Sequence, residues 1–163
     1  IGIAATRLNA AIIQQIIMQS GIDVAEEIPH DCDFAVELMN EHTIICMGGT
    51  IPGHTTDTVA VDLSCKAQAS RCIIATNVSH VYNRDPRKYA DAKKFHSLNL
   101  TELGDICGVG EPLAAGTSAV VDPIAVGLAI QSKMPLAILD GRNMSMVRAA
   151  ILGDDFEGTV VTV

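Results

Sequence analysis

Apolar residues at Leu8, Ile12, Ile13, Ile16 and Ile17 recur at helical spacing between Ala5 and Ser20, and the pattern stops at Gly21. This stretch is expected to be a helix with Gly21 as its C′ residue. A short strand is expected near Ile22 to Val24, a helix near Phe34 to Met39, and a buried strand over Thr43 to Met47. Val59, Ala60, Leu63 and Cys65 then mark a helix that begins after Thr55. Cys72 to Thr76 is a second apolar strand, followed by Asn77 to Lys94, a polar segment too long for a plain connector. Beyond it, Asn99 to Ile106 reads as a helix capped by Thr101, Asp122 or Pro123 opens a helix to about Ser132, Leu136 to Leu139 forms a strand, Ser145 to Leu152 a helix and Thr159 to Val163 a last strand. This alternation predicts the α/β class: one domain over residues 1–163, a three-layer α/β/α sandwich with a mainly parallel central sheet covered by helices on both faces.

Between the strand at 43–47 and the next helix, Gly48-Gly49-Thr50-Ile51-Pro52-Gly53-His54-Thr55-Thr56-Asp57 packs three glycines and three hydroxyls into a strand-to-helix turn. Such a turn aims free backbone N–H groups and the positive end of a helix at one point, where phosphate or carboxylate binds. Thr55 and Thr56 add hydroxyls at the expected N-cap, and Asp57 sits where an acid orients a metal ion or a cationic group. By pattern alone the stretch equally reads as a glycine-rich turn with an ordinary cap. Ligands of open α/β sheets sit beyond the carboxyl ends of strands, so this loop and Thr76 to Asp85 are expected to face one crevice.

Composition narrows the field. A chain of 163 residues is long enough to bury on the order of 70% of its unfolded surface in one core. Hydrophobic residues make up 48% and charged residues 18%, a balance that suggests surface covered by other subunits. The net charge of −8 argues against nonspecific binding to nucleic acid or an anionic membrane. No apolar run approaches the roughly 20 residues of a membrane span, and no signal-peptide pattern opens the chain. The five cysteines, Cys32, Cys46, Cys65, Cys72 and Cys107, form no CxxC pair and fit buried, reduced thiols of a cytosolic protein. His30-Asp31-Cys32-Asp33 contains metal-capable side chains, but neighbours in a polar connection rarely converge on one ion, and no metal site is expected there.

Taken together, these loops bring a family into view. Gly2-Ile3 with Thr6 to Ala10, Gly48 to Asp57, Thr76-Asn77-Val78, Val81-Tyr82, Asp85-Pro86, Ala115-Gly116-Thr117, Val121-Asp122-Pro123 and Gly158-Thr159 occur in order along the whole chain, and the Pro52-Gly53-His54-Thr55-Thr56-Asp57 segment is the specific part. The chain resembles amino acid kinase fold proteins, most closely the archaeal-type uridylate (UMP) kinases. The resemblance implies transfer of the terminal phosphoryl group of ATP to UMP with Mg²⁺, giving UDP and ADP in pyrimidine nucleotide synthesis, by cytoplasmic homohexamers built from dimers. By position it implies that Thr50, Ile51, Pro52, Gly53, His54, Thr55 and Thr56 hold UMP and that Asp57 organises the reacting centre. It also implies that Thr76, Asn77, Tyr82 and Asp85 contact ATP. No protein metal ligands are assigned. Asp122 reads either as an N-cap or as a catalytic acid, and Arg7 either as part of the UMP side or as a partner for a carboxylate at a subunit contact.

The chain departs from the resembled pattern in two places. The ATP loop T-N-V-D-G-V-Y reads here Thr76-Asn77-Val78-Ser79-His80-Val81-Tyr82, so a positive φ at the glycine position would strain His80, and a histidine in a polar loop is otherwise expected to be solvated. The chain opens at Ile1 directly on a helix, whereas the family begins with a strand, a lysine-bearing Gly-Gly-Ser loop and a second glycine-rich loop; Lys66, Lys88, Lys93, Lys94 and Lys133 lie in no glycine loop. The fold is therefore expected to be N-terminally incomplete and the 163-residue chain alone inactive, activity belonging to a longer parent. Alternatives of other classes are a non-catalytic nucleotide- or oxyanion-binding protein of the same fold, or a phosphotransferase of that fold acting on a carboxylate or isoprenoid phosphate; the Pro-Gly-His-Thr-Thr-Asp loop argues against the last.

Overall fold

The computed structural model describes residues 1–110 and 120–163; the Ala115-Gly116-Thr117 match lies outside the described residues. The chain divides into two compact units, Ile1–Gln68 and Ala69–Val163.

The first unit holds helices α1 (Gly2–Gln19), α2 (Cys32–Leu38) and α3 (Thr56–Lys66). α1 ends as its sequence requires, with the Gly21 amide returning to the Met18 carbonyl at 3.0 Å. Its orientation differs from a simple core-facing stripe: Leu8, Ile12, Ile13 and Ile16 are exposed, while Ala10 and Gln14 are buried. The buried amide of Gln14 has a reason to be inside, because it donates to the Ala25 carbonyl at 2.7 Å. α2 begins at Asp31, whose carboxylate accepts from the Phe34 amide at 2.8 Å, and it packs on α3 through Cys32, Ala35, Val59 and Val61.

The strands expected at Ile22 to Val24 and Thr43 to Met47 are reduced to one parallel bridge, Val24 to Ile44, with the Ala25 amide donating to the Ile44 carbonyl at 2.9 Å. Asp23 explains part of this. Its carboxylate accepts from the Thr43 amide at 2.6 Å and lies 3.0 Å from His42 Nδ1, so side chain replaces ladder at that step. Residues 44–47 are half-buried rather than buried.

In the second unit a four-stranded sheet runs in the order β1 (Cys72–Thr76), β5 (Leu136–Asp140), β6 (Thr159–Thr162), β4 (Ser97–Asn99). β1 and β5 are parallel, as are β4 and β6, and β5 and β6 are antiparallel. The expected α/β class with a mostly parallel sheet is therefore present. β5 is buried from Leu136 to Leu139, which is why its sequence is continuously apolar. Leu103, Val121, Val126 and Val161, all fully buried, complete the core with α4 (Leu100–Cys107) and α5 (Pro123–Ser132). α6 (Met144–Leu152) packs on β5 and β1.

Two local readings change. α4 is capped by Asn99, not Thr101: the Asn99 side chain accepts from the Glu102 amide at 2.9 Å and Glu102 accepts from the Asn99 amide at 2.8 Å, a reciprocal box that Thr101, one residue too late, cannot make. The polar segment after β1 contains a hairpin of β2 (Val81–Tyr82) and β3 (Lys94–Phe95), strands of two residues that are too short to show alternation in sequence. Thr159 anchors it, accepting from the Val81 amide at 2.9 Å and donating to the Phe95 carbonyl at 2.6 Å from a fully buried position.

Candidate functional site

Each unit presents a cleft built from one of the two loops. In the first unit, Gly48 and Gly49 cross the first turns of α1 in close contact and are buried. The Gly49 amide donates to Thr6 Oγ1 at 2.8 Å, and Thr6 in turn donates to the Ile3 carbonyl at 2.8 Å. Arg7 closes the other side, its Nε donating to the Gly49 carbonyl at 3.0 Å and Nη2 to the His30 carbonyl at 3.3 Å. Arg7 thus holds main chain here and lends rigidity to the loop. The chain then turns outward at Ile51 to Thr56, all exposed, with Gly53 at φ +93°, a conformation that side chains rarely adopt. Thr55 is the N-cap of α3 and accepts from the Thr58 amide at 3.2 Å.

The result is a cleft of about 410 Å³ lined by Gly2, Ile3 and Thr6 on one side and by Gly49, Ile51, Pro52, Gly53, His54, Thr55 and Thr56 on the other. The N-terminal turns of α1 and α3 both line it. The first turn of α1 carries no acidic residue and no side-chain cap, so its amides add to the positive end of the α3 dipole. Six of the seven residues expected on the acceptor side line this cleft. Thr50 is half-buried in the loop and is not among the lining residues, and Asp57 is a half-buried acid in the first turn of α3. The contribution of α1 was not apparent from its apolar stripe; its signal was the match of Gly2-Ile3 and Thr6 to Ala10 at the helix start.

In the second unit a cleft of about 380 Å³ gathers all four expected donor-side residues, Thr76, Asn77, Tyr82 and Asp85, together with Val78, Asn83, Arg84, Pro86, Arg87, Ile106 and Val120. Thr76 ends β1, where its carbonyl accepts from the Gly141 amide at 2.8 Å. Arg142, just past β5, is chelated by Asp140 through Nε at 2.8 Å and Nη2 at 2.6 Å, and the same Nη2 donates to the Asn77 carbonyl at 3.1 Å. That charged fork holds the Asp140 carboxyl down to about 2 and steadies the loop leaving β1. Asp85 accepts from the Arg87 amide at 3.0 Å and Arg87 Nε at 3.1 Å, which lowers its pKa, amide first. Arg84 pairs with Asp91 at 2.6 Å and lies 5.1 Å from the centre of the Tyr89 ring. Reading the lysines alone missed these cations: Arg84 and Arg87 flank Asp85 in sequence and line the cleft with it.

His80 is neither strained nor solvated. The non-glycine residues with positive φ are Gln68 and Lys133 among the described residues, and the imidazole of His80 is fully buried. Asp122 acts as N-cap of α5, accepting from the Ile124 amide at 2.9 Å. None of the five cysteines is in a disulfide among the described residues; burial pushes the Cys32 thiol up to about 12, with Asp62 adding to the effect, and the Cys107 thiol up to about 11, so neither is a thiolate at neutral pH. In the His30 to Asp33 segment, Asp31 caps α2 and Asp33 accepts from Lys66 Nζ at 2.7 Å.

Two loops, one at a helix N-terminus and one at the end of a parallel strand, each border a cleft in this α/β protein. The model of the amino acid kinase family matches residues 1–140, and the chain belongs to that family. A uridylate kinase of Methanocaldococcus jannaschii is 40% identical over 161 residues, covering 97% of this chain and 70% of that protein. A uridylate kinase of Methanococcus aeolicus is 35% identical over 161 residues, covering 99% and 69%. Among solved structures, a uridylate kinase of Archaeoglobus fulgidus superposes with a TM-score of 0.80 at 35% identity, covering 99% of this chain and 70% of that one. A UMP kinase of Bacillus anthracis, at 20% identity and a TM-score of 0.78, shares the fold.

Proposed function

We propose that this chain provides the acceptor loop and part of the donor site of a UMP kinase, which transfers the γ-phosphoryl group of ATP to UMP and yields UDP and ADP in pyrimidine nucleotide synthesis. The observation that carries this reading is similarity over 97–99% of the chain, at 35–40% identity, to uridylate kinases. In this reading Thr50, Ile51, Pro52, Gly53, His54, Thr55 and Thr56 hold the UMP phosphate, with the amides at the start of α3 facing its charge. Thr76, Asn77, Tyr82 and Asp85 take ATP in the second unit, where Arg84 and Arg87 offset phosphate charge at the cleft wall. Phosphoryl transfer requires little covalent participation from the protein, so positioning and charge neutralisation carry the rate. Asp57 orients the reacting groups from the first turn of α3.

Mg²⁺ binds through one or two carboxylates together with substrate phosphates and water. The carboxylate we assign to that role is Asp57, in the first turn of α3 beside the acceptor loop. When bound with ATP the ion neutralises phosphate charge. No helix is long and apolar enough to cross a membrane among the described residues. The compartment we propose is the cytoplasm, by analogy with the kinases the chain resembles. The exposed Leu8, Ile12, Ile13 and Ile16 on α1 form an apolar side suited to burial against another copy, and the assembly we propose is a dimer-based hexamer.

The test is ADP release by the full-length protein with ATP, Mg²⁺ and UMP. UMP-dependent turnover is expected, and Asp57→Asn should lower kcat on the order of a hundredfold with UMP still bound. Absence of UMP-dependent ADP release from the native protein would overturn the assignment.

A further inference from the structure

His80 sits in the loop between β1 and β2 with 0% of its surface exposed. Its Nδ1 lies 3.0 Å from Ser79 Oγ, and Ser79 Oγ lies 3.1 Å from the hydroxyl of Tyr82, which lines the donor cleft. Its Nε2 is buried with no hydrogen-bond partner. The ring meets His96 edge-on at 4.8 Å between centroids and Tyr82 at 6.4 Å. A leucine would fill this space without an unsatisfied nitrogen, so packing alone does not account for an imidazole here. The one thing the imidazole does that a hydrocarbon could not is to bond Ser79.

We propose that His80 is a positioning residue for the donor nucleotide: acting through Ser79, it fixes the Tyr82 hydroxyl and thereby the ring that lines the cleft. This rests on the reading of that cleft as the ATP site. In the neutral imidazole both bonds are satisfied in either direction: Tyr82 hydroxyl to Ser79 to Nδ1 with the proton on Nε2, or Nδ1–H to Ser79 to Tyr82 with the proton on Nδ1. Protonation places donors on both nitrogens and leaves only the second direction, in which Ser79 donates to Tyr82. The neutral form prevails in the folded protein, because burial first, then the positive fields of Lys94 and His96, lower the His80 pKa from 6.5 against the opposing pull of Glu157. Around the ring these groups come from β3, from the residue between β3 and β4 and from the segment before β6, with Tyr82 on β2. Either direction keeps both bonds, so the positioning rests on the contacts and not on the charge of His80.

The experiment uses the full-length protein and reads KM for ATP and UMP separately, together with calorimetric binding of a non-hydrolysable ATP analogue. Ser79→Ala and His80→Leu are each expected to weaken ATP KM and analogue binding about fivefold and to leave the UMP KM unchanged. His80→Asn, whose side-chain amide can occupy the place of Nδ1, should stay within about twofold of native. Native-like ATP binding in Ser79→Ala, or equal effects on ATP and UMP, would overturn the proposal while leaving the kinase assignment intact. If the native protein shows no saturable analogue binding, the reading of the cleft fails and this proposal fails with it. Ser79→Ala decides the matter if His80→Leu does not fold, since it removes one hydroxyl from a half-buried position.

Discussion

A methyl group on Gly48 would stand 2.6 Å from the Arg7 amide nitrogen and 2.7 Å from the Thr6 carbonyl carbon, both backbone atoms that cannot step aside alone. Gly48→Ala is therefore expected to destabilise the protein by about 1–3 kcal/mol, as overpacking does, and to loosen the acceptor loop; urea unfolding measures the first and UMP KM the second. An unchanged midpoint would show that α1 and the loop can part without cost. At this scale ten of the eleven loop residues that the sequence marked for binding line one of the two clefts. The Pro52 to Asp57 motif needs a helix start to make sense, and Thr55 is that start. His80 was not legible: a histidine among polar neighbours reads as solvated, and only Val81, Thr159 and Phe95, tied together in the fold, pull the loop inward and bury it.

Elements followed local chemistry wherever the chemistry was strong. β1 and β5 are continuous apolar runs buried in a parallel pair, and Pro123 behind Asp122 opens α5 as such pairs do. Elements that depend on a partner were harder to read. Residues 43–47 have a strand's composition yet form one bridge, because a ladder needs a sustained neighbour and among the described residues Val24 is the one that pairs there. The hairpin of β2 and β3 is held by Asn83, whose amide donates to the Lys93 carbonyl at 3.1 Å and whose side chain accepts from the Lys93 amide at 2.8 Å, contacts ten residues apart that no periodicity displays. For α4, the reciprocal bonds between Asn99 and Glu102 make a specific prediction: Asn99→Ala should lower stability by about 1 kcal/mol in urea unfolding, and Thr101→Ala by much less.

For the molecule as a whole, the apolar side of α1 is the most consequential surface. Leu8, Ile12, Ile13 and Ile16 are 52–64% exposed on one helix of a chain whose net charge of −8 would otherwise keep copies apart. If copies associate through this side, Ile12→Lys combined with Ile16→Lys should reduce the mass of the full-length protein by light scattering, with little loss of subunit stability because both side chains are already exposed. A mass unchanged by both substitutions would place the contact elsewhere. The sequence by itself determined the α/β class, the order of the long elements and the position of the two polar loops, since these follow from apolar runs, glycine, proline and capping residues acting within a few positions. Only the tertiary structure decided which side of α1 is covered, that its first turn joins the acceptor cleft, that Arg84 and Arg87 share a wall with Tyr82, and that His80 is buried. Those are matters of which distant segments meet, and burial, satisfied hydrogen bonds and charge pairs at such meetings outweigh the local preferences that a linear pattern records.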